Sequence, residues 1–210
     1  MQETDVNYAT WPTLDYVWAT STINVNNFYV DGRKVSGATS SFFLDGEGWG
    51  NTHINGVPSG ASQNFTFSIP GYYNGVGAPQ AKVHTKVTSN SNADADGANN
   101  HHLRLALNGN VLLDTVYAEY KQIRMWRNVP MSLFSSTSAQ LTMSISHILG
   151  AATDYQSFTY GQLDYPRNLS VNGAYGKYRL VNGAAAKSHL EMTGVTGTNR
   201  IAYVWGGSIP

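Results

Sequence analysis

The sequence has no cysteine, little charge and no long apolar run, and each lack removes a class of protein. Without cysteine there is no disulfide, no thiol nucleophile and no zinc–thiolate site. Charged residues make up 12% of the 210 positions, about half the usual share, and the 13 basic and 13 acidic side chains cancel. A neutral chain offers no electrostatic reason to expect nucleic acid or an anionic membrane as partner. No stretch approaches the roughly 18 apolar residues that would cross a bilayer. Met1-Gln2-Glu3-Thr4-Asp5 lacks the basic and apolar regions of a signal peptide, and both ends read as cut edges of a larger exported protein. Four glutamates, Glu3, Glu47, Glu119 and Glu191, leave few candidates for the paired carboxylates of a glycosidase. No Gly-x-Ser-x-Gly elbow is present. These features point away from an enzyme.

What the chain does have is strand signal. Thirteen Tyr, seven Phe and five Trp are enough to build a core and argue against disorder. Helical periodicity is nearly missing, and short alternating runs are separated by Asn-Gly and Asp-Gly pairs, which tolerate positive φ and favour tight hairpins. The strongest hairpin is Leu103–Leu107, then Asn108-Gly109, then Asn110–Leu113, with Leu103, Leu105 and Leu107 on one face. Phe65, Phe67 and Ile69 alternate in the same way, as do Val83, Thr85 and Val87 against Lys82, His84 and Lys86, and Leu141, Met143 and Ile145. From Phe158 and Tyr160 to Leu163-Asp164-Tyr165 the alternation slips near Gly161, the mark of a bulge. Tyr175–Val181, Ser188–Met192 and Arg200–Trp205 are weaker runs. About ten strands predict an all-β, jelly-roll-like antiparallel β-sandwich. The expected division is a lead-in over 1–22, the sandwich over 23–167, and strands over 168–210 that pack on it or lead to the next domain.

Candidate sites are sparse. Asn92, Asp94 and Asp96, followed by Gly97, place oxygen ligands at alternate positions like the start of a calcium loop. The bidentate Glu of such a loop is missing, since its place falls on Leu103, and a solvated hairpin loop is the competing reading. Calcium is the sole cofactor to which the sequence points. His101 and His102 are adjacent in a strand and so point to opposite sides, which suits structural roles better than one metal. The five tryptophans are expected mostly in the core, since most lie in strand-like runs. Trp49, Tyr72 and Tyr73 sit among Gly and Asn and could stack on sugar rings. Asp114-Thr115-Val116 matches a three-residue O-glycosylation pattern of exported Bacteroidetes proteins, which requires an exposed Thr115.

Several segments, taken in order, carry a family resemblance. Asn26-Asn-Phe-Tyr-Val30, Asp45-Gly-Glu-Gly-Trp-Gly50, Phe65-Thr-Phe-Ser-Ile-Pro70, Leu105-Ala-Leu-Asn-Gly109, Val129-Pro-Met-Ser-Leu-Phe134 and Leu163-Asp-Tyr-Pro-Arg-Asn-Leu169 span most of the chain. The succession resembles the region ahead of the peptidase domain in PorU-like sortases of the type IX secretion system, within the gingipain-type cysteine peptidases. The last segment is shortened, because the residues the family has between Leu-Asp and Tyr-Pro-Arg are missing or shifted here. The resemblance implies a non-catalytic, jelly-roll-like domain of a protein exported to the bacterial cell surface, outer membrane or periplasm. Its partners would be the peptidase domain of the same chain and exported protein substrates. The family's catalytic Cys maps onto no residue of this sequence. The second expectation, from a different class, is a carbohydrate-binding module.

Overall fold

The structure, a computed structural model, describes residues 10–31, 34–35, 38–39, 47–91, 100–145, 153–173, 178–180 and 189–195. In chain order the strands are β1 (Val17–Asn24), β2 (Phe28–Val30), β3 (Lys34–Val35), β4 (Ala38–Thr39), β5 (Gly48–Gly50), β6 (Ile54–Asn55), β7 (Ala61–Ser68) and β8 (Ala81–Ser89). They continue with β9 (His101–Leu107), β10 (Asn110–Tyr117), β11 (Gln122–Val129), β12 (Ser138–Ile145), β13 (Tyr155–Arg167), β14 (Ser170–Gly173) and β15 (Thr193–Val195). Met131–Leu133 form a single 3-10 turn.

The chain divides into two compact units, Trp18–Arg167 and the two terminal segments, Met1–Val17 with Asn168–Pro210. In the larger unit, one sheet runs β1-β13-β8-β11 with β6 also pairing β13, and the other runs β10-β9-β12-β7. Numbering the eight long strands first to eighth gives orders 1-8-3-6 and 5-4-7-2, the interleaving of a jelly roll. The protein is an antiparallel β-sandwich. The division expected after residue 22 falls inside β1, which already belongs to the first sheet at Val17.

Period-two alternation decides what lies between the sheets. Leu103, Leu105 and Leu107 from β9, Phe67 from β7, and Ala139, Leu141 and Met143 from β12 meet Val83, Val87, Met125, Phe158 and Leu163 from the opposite sheet in one buried cluster. Each of the Leu, Val, Met and Phe side chains among them contributes roughly 1.5–3 kcal/mol by leaving water. Phe65 and Phe158 stack across the interior with centroids 4.1 Å apart and planes at 25°. The β9–β10 hairpin turns on Asn108 (φ 46°) and Gly109 (φ 82°), both in the left-handed region as such a two-residue loop requires. Asn108 also ties the hairpin down: its amide donates to the Leu133 carbonyl at 2.8 Å and its Oδ1 accepts the Gln140 N–H at 2.8 Å.

The slip in alternation is real and sits at Thr159, between Phe158 and Tyr160. Before it Gln156 and Phe158 face inward; after it Gly161, Leu163 and Tyr165 do. Gly161 is needed there because an added Cβ would lie 2.9 Å from Phe158 Cζ and 3.0 Å from Phe67 Cζ. Asn51 holds the same strand from the side, accepting the Phe158 N–H on Oδ1 at 2.5 Å while its own N–H donates to the Phe158 carbonyl at 2.9 Å.

One end of the sandwich is closed by a buried polar network. Asp154 meets His101 Nδ1 at 2.7 Å, accepts the His102 N–H at 3.2 Å and accepts the Gln156 amide at 2.9 Å. His101, fully buried, contacts the Ser91 carbonyl through Nε2 at 2.8 Å. A carbonyl only accepts, so Nε2 donates. His102 turns the other way, as adjacent strand residues do, and reaches Asp114 at 2.7 Å.

In the smaller unit, β14 and β15 pair in parallel, and Thr13 bridges His189. Asn172-Gly173 therefore lies within a strand rather than at a hairpin, since parallel neighbours need a long connection. The weaker run expected at Tyr175–Val181 falls mostly outside the described residues and Arg200–Trp205 wholly so, whereas Ser188–Met192, described from His189 on, forms no strand beyond the single bridge of His189 to Thr13.

Gly161→Ala is expected to lower unfolding free energy by about 1–3 kcal/mol through overpacking, read from urea midpoints at unchanged slope. Asp154→Ala leaves His101 and two further donors without their acceptor, and a loss of about 3–5 kcal/mol is expected from the same measurement.

Candidate functional site

The outward face of the first sheet carries the densest group of chemistry-bearing side chains described. It follows from the bulge at Thr159, which turns Tyr160, Gln162 and Asp164 outward once Gly161, Leu163 and Tyr165 take the inward positions. Register then lines up rows across three strands: Trp126, His84 and Gln162; Arg124, Lys86 and Tyr160; Asn128, Lys82 and Asp164. Trp126 is 64% exposed and stacks on His84 with centroids 3.5 Å apart and planes at 10°. His84 in turn meets Tyr160 edge-on at 5.5 Å. The Lys82 ammonium lies 5.6 Å from the Trp18 ring, a cation–π approach.

Hydrogen bonds fix the floor of this surface. Tyr160 donates to Gln162 Oε1 at 2.5 Å, Gln162 donates to Asp164 at 3.0 Å, and Thr20 donates to the same Asp164 oxygen at 2.5 Å. Burial first, and then the Arg124 guanidinium, holds His84 below its ordinary pKa. Burial and the Asp164 carboxylate push the Tyr160 phenol up. At neutral pH the surface is therefore a neutral aromatic strip flanked by Lys82, Lys86 and Arg124 with one carboxylate. It can stack a planar or sugar-like group and hold an acidic neighbour.

The residues singled out in the sequence fall elsewhere. Trp49, on β5, is 57% exposed and packs edge-on against Tyr29 of β2 at 5.4 Å. Tyr72 bridges Arg167, at the far end of β13, and Tyr73 donates its N–H to the Pro166 carbonyl. Asn51, two residues after Trp49, is bound to Phe158. Arg167 lies nine residue steps beyond Phe158, roughly 30 Å of strand, so Trp49 and the tyrosine pair do not form one platform. Asn92, Asp94 and Asp96 lie outside the described residues. Among the described residues no group of three or more His, Cys, Asp or Glu is placed to hold a metal ion. Thr115 is half-buried on β10, and its neighbour Asp114 is engaged by His102.

The expectation that most tryptophans are core residues is corrected at β11 and β1. Trp126 alternates with buried Met125 and Val129, and Trp18 sits between buried Val17 and Ala19. That alternation was the available signal, outweighed by the size of the ring.

Comparison with known proteins gives fold and little else. Neither a protein-family model nor a curated protein matches the sequence. Among solved structures, a dimeric latent PorU from Porphyromonas gingivalis matches at 12% identity with a TM-score of 0.53. That match covers 83% of this chain and 15% of the PorU chain, so this chain spans a small part of its length. A CBM36-1 domain of a multidomain xylanase from the hindgut metagenome of Trinervitermes trinervoides matches at 10% identity and TM-score 0.37, covering 70% of this chain and 95% of that one. A family 35 carbohydrate-binding module from Clostridium thermocellum matches at 13% identity and TM-score 0.31, covering 73% of this chain and 94% of that one. The PorU match shows a shared sandwich fold.

His84 is expected to titrate below 6.5 by NMR and to move back toward that value in Arg124→Gln. A group whose folded pKa is depressed binds its proton first in the unfolded chain, so stability falls as pH drops below 6.5 and levels off once the folded state is protonated too. Replacing His84 by Gln should flatten that part of the stability curve.

Proposed function

We propose that this chain is a non-catalytic structural and interaction domain of an exported type IX sortase-like protein of the gingipain-type peptidase family. The observation that carries the reading is the agreement of fold with PorU over 83% of this chain. The motifs from Asn26 to Leu169 follow the order expected of such a protein. The lack of any cysteine puts a cysteine nucleophile in another part of such a protein. In this reading the domain is exported, packs beside a peptidase domain of the same polypeptide, and presents the Trp126–His84–Tyr160 strip to that domain or to exported protein substrates. An exposed Trp ringed by Arg124, Lys86 and Lys82 has the composition of a protein-binding centre, where Trp and Arg contribute most.

A second reading, a carbohydrate-binding module of an exported enzyme, is favoured by the exposed pair Trp49 and Tyr29, 57% and 45% accessible. Its test is glycan-array binding that is lost on Trp49→Ala.

The first reading predicts that the gene continues into a gingipain-type domain with its own His and Cys. It also predicts that Trp126→Ala weakens binding to that domain or to exported substrates by about 30-fold, as removal of a central Trp does. A gene that continues into a glycoside hydrolase, or hydrolysis of peptides by this chain alone, overturns it.

A further inference from the structure

A cleft of about 210 Å³ opens where Phe28, Asp31, His53, Asn90, Tyr120 and Tyr155 come together in the larger unit, away from the Trp126 strip. Its walls are largely aromatic. His53 stands at the centre, edge-on to Phe28 at 5.4 Å and tilted against Tyr155 at 4.5 Å. Two polar atoms of this lining, His53 Nδ1 and Asn90 Oδ1, are buried and have no hydrogen-bond partner within the protein. The other end of the Asn90 amide is committed, since Nδ2 donates to Ser157 Oγ at 2.6 Å, so Oδ1 is fixed in place as an acceptor. Leaving a buried polar atom unmet is unfavourable, and a ligand that supplies the missing proton relieves it.

The geometry points to this cleft as a binding site for one neutral pyranose residue. A pyranose offers a C–H face to stack on Phe28, Tyr120 or Tyr155 and hydroxyls that donate to Asn90 Oδ1 and exchange a proton with His53 Nδ1. Among the described residues no Lys or Arg lines the cleft and Asp31 does, which disfavours an anionic ligand. The volume suits a single ring, being below the ~300–1,000 Å³ of sites that enclose larger molecules. The inference shares its ligand class with the carbohydrate reading but moves the site. In β2, Phe28 and Val30 alternate with Tyr29, so the cleft lies on the opposite face of the β2–β5 ribbon from Tyr29 and Trp49.

The test is an NMR titration of the full 210-residue chain, labelled with nitrogen-15, against glucose, galactose, mannose, xylose and N-acetylglucosamine, with choline as a cationic probe. Saturable shifts centred on the Asn90 side-chain amide and on Tyr120 and Tyr155 are expected for at least one sugar. Tyr120→Ala, in the β10–β11 loop, and His53→Phe, which keeps a ring and removes the nitrogen, should each weaken that sugar by about tenfold. Their amide spectra outside the cleft should superpose on the wild type, which separates lost binding from lost folding. Weakening by Trp49→Ala with Tyr120→Ala and His53→Phe unaffected overturns the cleft and leaves the carbohydrate reading standing. No shift with any of the sugars overturns both. Shifts with choline alone overturn the pyranose in favour of a cation.

Discussion

The extra residue in β13 at Thr159 is the constraint on which the rest of the sandwich depends. Side chains in a strand repeat with a period of two, so a one-residue insertion exchanges the two faces from that point on. Upstream, the even-numbered Gln156 and Phe158 face inward, with Phe158 stacked on Phe65. Downstream, the even-numbered Tyr160, Gln162 and Asp164 face outward, and Leu163 and Tyr165 take over the core. Gly161 makes the exchange sterically feasible by leaving its Cβ space to the rings of Phe67 and Phe158. The same strand that fills the middle of the core thus also furnishes a third of the outer surface strip.

Other features of the larger unit are organised around β13 too. Its first residue, Tyr155, walls the cleft; the residue before it, Asp154, anchors the buried histidine network; and Phe158 is gripped on its backbone by Asn51. β13 pairs with β1, β8 and β6 in one sheet, so an error in its register would misplace the outer strip and the core together. A polar network as buried as that of His101 and Asp154 adds specificity of arrangement through its directionality, since only one placement of the donors satisfies Asp154.

Much of the sandwich was legible because its strands obey local rules. Leu103, Leu105 and Leu107, Val83 and Val87, and Leu141 and Met143 declare a face by alternation alone, and Asn108-Gly109 declares its turn by the positive φ it tolerates. The slip near Gly161 was legible as a break in the same alternation. The candidate surfaces were not, because they are assembled across strands. Trp126, His84 and Tyr160 come from three strands whose register no local pattern reveals. His53, Asn90 and Tyr155 span about a hundred residues of sequence before they share a cleft. Ring size points the wrong way as well: a large aromatic suggests core material, although Met125 and Val129 occupy the inward positions of β11. The pairing of His101 with Asp154, 53 residues later, leaves no trace in composition or spacing.

The most direct measurement is the set of nuclear Overhauser contacts from the Tyr160 ring in the native chain. The account predicts contacts from Tyr160 to the His84 ring, 5.5 Å away between centroids, and from Leu163 to the interior methyl groups. Contacts from Tyr160 to Leu103 or Leu105 methyls, with Leu163 on the solvent side, would mean that β13 runs without its bulge and would contradict both the core and the outer strip described.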